Sequence, residues 1–68
     1  MTWEEPHNYF KAHTEDGYWT SFKDYLRYTE MMKQAECMTP IFQFFKIKGV
    51  RYMAITYGSG DIIDIGEL

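Results

Sequence analysis

Ile41-Phe42-Gln43-Phe44-Phe45-Lys46-Ile47-Lys48-Gly49-Val50-Arg51-Tyr52-Met53-Ala54-Ile55-Thr56-Tyr57 is the stretch that decides the fold. Two runs rich in aromatic and β-branched residues flank Lys48-Gly49. Such runs prefer the pleated backbone, and a glycine at the second position of a two-residue turn supplies the positive φ that a tight hairpin needs. A second turn, Gly58-Ser59-Gly60, leads into Asp61-Ile62-Ile63-Asp64-Ile65, a third strand. The expectation is a three-stranded antiparallel meander over residues 41–48, 50–57 and 61–66.

The two turns predict a register. Ile47 pairs with Val50, Phe45 with Tyr52 and Gln43 with Ala54, while Phe44 meets Met53 and Phe42 meets Ile55. Across the second turn Tyr57 faces Asp61, Ile55 faces Ile63 and Met53 faces Ile65. Because side chains alternate along a strand, one face then carries Phe42, Phe44, Met53, Ile55, Ile63 and Ile65. This reading makes it the inner face. The other carries Phe45, Ile47, Val50, Tyr52 and Ile62, interrupted by Gln43, Ala54, Thr56 and Asp64, and needs cover from the N-terminal aromatics or from a partner.

Upstream, Phe22, Tyr25, Leu26, Tyr28, Met32 and Ala35 share one arc of a helical wheel, with Lys23, Arg27, Glu30 and Gln34 opposite. This spacing predicts one main helix over residues 21–37. Ser21 and Asp24 are placed as a capping box, and Pro40 enforces the stop. Residues 1–17 read as partly ordered or short-helical, with Thr2 and Glu5 as a cap. The predicted class is α+β, a single domain over 1–68.

The chain has 68 residues, so it buries only about 60% of the surface its unfolded form exposes. One cysteine closes the disulfide route to extra stability, leaving two Trp, six Tyr, five Phe and five Met as large core fillers. The net charge is −3, which weighs against binding to duplex DNA. The opening MTWEEPHNYF has acids and a proline where a secretory signal would have bases and an apolar run. A complete small reading frame, located in the cytoplasm and not in a membrane, is the expectation.

The chemical candidates are few. His7 and His13, with Glu15 and Asp16 nearby, are spaced like no zinc motif. Tyr57-Gly58-Ser59-Gly60-Asp61 lacks the lysine and the following helix of a phosphate loop. Cys37 is next to Glu36, a poor setting for a nucleophile. No catalytic residue, metal site or cofactor is assigned, and the expectation is a protein that is not an enzyme.

What remains is a surface. Lys46, Lys48 and Arg51 lie beside Phe45, Tyr52, Ile47 and Val50, and these seven residues are the predicted protein-binding site. The like-charged pair Lys46 and Arg51 face each other across the hairpin, which an acidic partner would relieve. The functional expectation is a stand-alone interaction protein that occludes a larger complex, by analogy with accessory or phage-encoded inhibitors of host defence systems, anti-CRISPR and anti-restriction proteins among them. Glu4, Glu5, Glu15, Asp16, Asp24 and Glu30 would then mimic phosphates in a basic groove. A homodimer is a further expectation. The alternative is a single-stranded nucleic-acid binder that stacks bases on the sheet.

Overall fold

The computed structural model describes residues 3–58 and 60–68. The order of elements is α1 (Glu4–His13), β1 (Thr14–Glu15), β2 (Tyr18–Trp19), α2 (Phe22–Gln34), β3 (Phe42–Ile47), β4 (Val50–Thr56) and β5 (Ile62–Glu67). The class is α+β, but the expected meander of three strands under one helix is wrong. Two helices accompany one five-stranded mixed sheet in the order β1-β2-β3-β4-β5, with β2 parallel to β3 and every other pair antiparallel.

The extra strands arise from Asp16-Gly17. Both residues have positive φ, 52° and 85°, as Lys48 and Gly49 do at 52° and 81°. Each pair makes a two-residue turn whose twist suits a hairpin. Beyond the first turn the chain crosses over through α2 and returns alongside, so that Tyr18 pairs with Phe44 and Trp19 with Phe45. A parallel pair needs such a crossover, and here the helix supplies it.

Ser21 stands at the N-cap of α2 in extended conformation, but its side chain makes no capping bond, so the expected capping box does not form. The helix ends at Gln34, short of the predicted Cys37. Glu36 takes φ 56°, its N–H reaches the Lys33 carbonyl at 3.0 Å, and the Cys37 N–H reaches that of Met32 at 2.8 Å. These two bonds satisfy carbonyls that a helix end would otherwise orphan. In α1, Glu4 and Glu5 occupy the first turn, which favours negative charge, and Pro6 is buried there at little cost in hydrogen bonding. The expected cap involving Thr2 lies outside the described residues.

The β3–β4 register is as expected, from Phe42 opposite Ile55 to Ile47 opposite Val50. The face assignment is inverted. Trp19, Phe45 and Ala54 are fully buried under both helices, whereas Phe42 is 54% and Phe44 37% exposed. Trp19 meets the rings of Phe10, Tyr25 and Tyr28 at centroid distances of 5.4, 6.0 and 5.0 Å. Phe45 meets Tyr25 at 5.1 Å and Phe22 at 5.0 Å.

Gln43 and Thr56 explain the inversion. Both look like marks of a wet face, yet they are 3% and 1% exposed. Trp19 Nε1 donates to Gln43 Oε1 at 3.1 Å, and Thr56 Oγ1 donates to the Pro40 carbonyl at 2.8 Å. A buried polar group whose partners are built in carries little of the desolvation cost that would otherwise exclude it. The N-terminal aromatics therefore thicken the helical layer and leave the opposite face of the sheet bare. The Cα extents of 34 × 24 × 16 Å are those of two layers.

The β4–β5 register also departs from expectation. Tyr57 N–H does reach the Asp61 carbonyl at 3.2 Å. A bulge then intervenes, so that Ile55 pairs with Asp64 and Ala54 with Ile65. One extra residue in a strand exchanges faces for everything that follows. Asp64 moves to the bare face and Ile65 to the helical one.

Candidate docking face

The bare side of the sheet, called the outer face below, follows from the register. It presents Tyr18 on β2, Phe42 and Phe44 on β3, and Met53 and Ile55 on β4. The Tyr18 and Phe44 rings touch edge to face at 5.8 Å. Charges frame this apolar centre. Lys46 reaches Glu15 of the neighbouring hairpin at 3.5 Å, Arg51 lies opposite Lys46, and Asp64 lies beside Ile55. The Lys46–Glu15 pair is exposed and contributes little stability, but it removes one of the cations a polyanion would use.

The sequence-predicted binding residues divide between the two sides. Phe45 is fully buried and serves the core, so its docking role is withdrawn. Tyr52 and Ile47 pack half-buried against the core on the helical side. There they line a trough of about 220 Å³ with Phe22 and Ile65. Val50, paired with Ile47, shares that side. Lys48 is exposed in the β3–β4 turn. Of the seven, only Lys46 and Arg51 belong to the outer face.

The six acids proposed as phosphate mimics are dispersed. Glu4 and Glu5 begin α1, Glu15 and Asp16 make the β1–β2 turn region, and Asp24 and Glu30 ride on α2. Asp24 and Glu30 share a groove of about 430 Å³ with Lys23 and Arg27, so cations interleave with them. Asp24 also accepts from the Tyr9 hydroxyl at 3.5 Å. Partial burial, then the Asp24 carboxylate, raise the Tyr9 phenol above its ordinary value.

The histidines serve local structure. His7 rests edge-on against Trp3 at 5.3 Å. His13 stacks on Tyr9 at 3.8 Å, and its Nδ1 lies 2.9 Å from the Tyr9 carbonyl. Among the described residues, no three His, Cys, Asp or Glu side chains gather as metal donors. Cys37 is half-buried, with Sγ 3.5 Å from the Ala35 carbonyl. Among the described residues no helix is long and apolar enough to cross a membrane.

Tyr18, which completes the aromatic row, lies outside the three strands expected from the sequence, and its signal is the Asp16-Gly17 turn. That dipeptide is a strong hairpin signal in its own right. Comparison with protein-family models, with curated proteins and with solved structures yields no match for this chain.

Proposed function

We propose that this chain is a small interaction protein that covers a surface of a larger protein, with the outer sheet face as its contact. One observation carries the reading: a row of partly exposed large apolar side chains, Tyr18, Phe42, Phe44, Met53 and Ile55, with no helix over it among the described residues. Contiguous apolar surface of this kind on a small domain marks a place where another surface binds. Aromatic anchors framed by charge are the usual make-up of binding hot spots. Such a protein acts by occlusion, as small accessory or phage-encoded inhibitors do, and the cytoplasm is the compartment that suits its lone thiol.

A second reading draws on the same face. Phe42 and Phe44 on a bare sheet, near Arg51, resemble the stacking platforms of single-strand nucleic-acid binders. The net charge of −3 and the engagement of Lys46 by Glu15 weigh against it.

Affinity capture from the encoding organism tests the proposal, with wild-type and Phe44→Asp baits compared by mass spectrometry. A protein retained by the first bait and lost from the second is the expected result. Binding of an unrelated single-stranded oligonucleotide that falls steeply as salt rises would shift the reading to nucleic acid. A partner held equally by both baits would move the contact off this face.

A further inference from the structure

The outer face is self-complementary in charge. Arg51 and Met53 are two residues apart on β4, and Ile55 is two residues beyond Met53, so Arg51 and Ile55 flank Met53 at about 7 Å on either side. Asp64 is the neighbour of Ile55 on β5, displaced sideways by about 4.8 Å. A two-fold axis through the Phe44–Met53 pair, lying in the plane of the face and across the strands, reverses strand direction and keeps strand order. It carries Arg51 of one copy over Ile55 of the other, within side-chain reach of the second copy's Asp64. An axis along the strands would instead set Arg51 against the Lys46 side of the partner. Only the first arrangement joins opposite charges. Neither Arg51 nor Asp64 makes an ion pair among the described residues.

The area suits a weak, reversible pairing. Strands β2 to β5 span about 15 Å across, and the six residues of β3 run about 20 Å, on ordinary strand spacings. A face of those dimensions covers about 300 Å² per copy, hence about 600 Å² in a face-to-face pair, the size of a weak, concentration-dependent contact. Edge-to-edge pairing through β5 competes less well, because it brings Asp64 and Glu67 of one copy close to those of the other.

We propose that, when no target is bound, a second copy of this chain covers the outer face, in an antiparallel four-layer dimer held at its rim by Arg51 to Asp64 in both directions. This rests on the reading of that face as the docking surface, and it makes the dimer a closed form that a target must open.

Analytical ultracentrifugation from micromolar to millimolar concentration is the test. Wild type should pass reversibly from 8.2 kDa to twice that mass. Arg51→Asp and Asp64→Arg should each weaken dimerisation tenfold or more, and the Arg51→Asp/Asp64→Arg double variant should recover most of the loss. Both positions are exposed, so neither change threatens the fold, which circular dichroism verifies. A wild-type monomer throughout the range overturns the proposal, as does a dimer indifferent to all three variants. If the protein is monomeric yet Phe44→Asp still loses its captured partner, the dimer fails and the docking reading stands. If Phe44→Asp alters neither association nor capture, both fail.

Discussion

At the scale of single residues, Phe44 and Phe45 are neighbours with opposite fates. The sequence places Phe44 inside, but Phe45 is the buried ring, and Phe44 is over a third exposed. Phe45→Ala should cost about 3–5 kcal/mol, as deletion of a core ring does, and Phe44→Ala about 1 kcal/mol or less. Urea unfolding of the two variants checks this, and equal losses would contradict the face assignment. Tyrosine titration gives a second expectation. Burial pushes the Tyr25 and Tyr28 phenols above their ordinary value of 10.0. Above pH 10 the unfolded chain then releases protons that the folded one retains, so stability is full below pH 10 and declines as pH rises through the folded values. Tyr25→Phe should flatten this decline. At neutral pH the same variant loses the 2.7 Å bond from the Tyr25 hydroxyl to the Gly60 carbonyl, worth about 1 kcal/mol.

At the scale of elements, two backbone positions of unusual φ call for opposite substitutions. Glu36, just past the α2 C-cap, takes φ 56°, where glycine is the natural occupant. Glu36→Gly should raise stability by about 0.5–1 kcal/mol, because the left-handed penalty of a side chain disappears. Gly60, at φ 89°, sits so close to α2 that a Cβ would come within 2.6 Å of Thr29 Cγ2. Gly60→Ala should cost about 1–3 kcal/mol, and thermal melting distinguishes the two signs. Element by element, the legible parts were those whose cause is local. The periodicity of α2, the Lys48-Gly49 turn and the six β3–β4 pairs follow from residues adjacent in sequence. The bulge that slips β5, and the choice of which sheet face is covered, depend on contacts between distant segments. Trp19 decides the latter by lying beside Phe45 and donating to Gln43, and nothing in the strand runs alone announces it.

At the scale of the whole molecule, the buried cluster of Trp19, Tyr25, Tyr28, Phe45 and Ala54 draws on both hairpins and on α2, with Tyr9 and Phe10 of α1 packed against it. One core implies one transition, so Trp fluorescence and far-ultraviolet circular dichroism should trace the same denaturation curve. Separate midpoints would mean that α1 or β5 unfolds independently. The parallel contact between β2 and β3 also imposes an order in time. During synthesis the first hairpin emerges with Trp19 already in place, but the strand that must lie beside it begins only at Phe42. Until β3 has cleared the ribosome, the indole has neither its Gln43 acceptor nor its Phe45 neighbour, and the two helices have only half a sheet to pack on. The nascent chain therefore carries an exposed aromatic cluster until β3 arrives to close it.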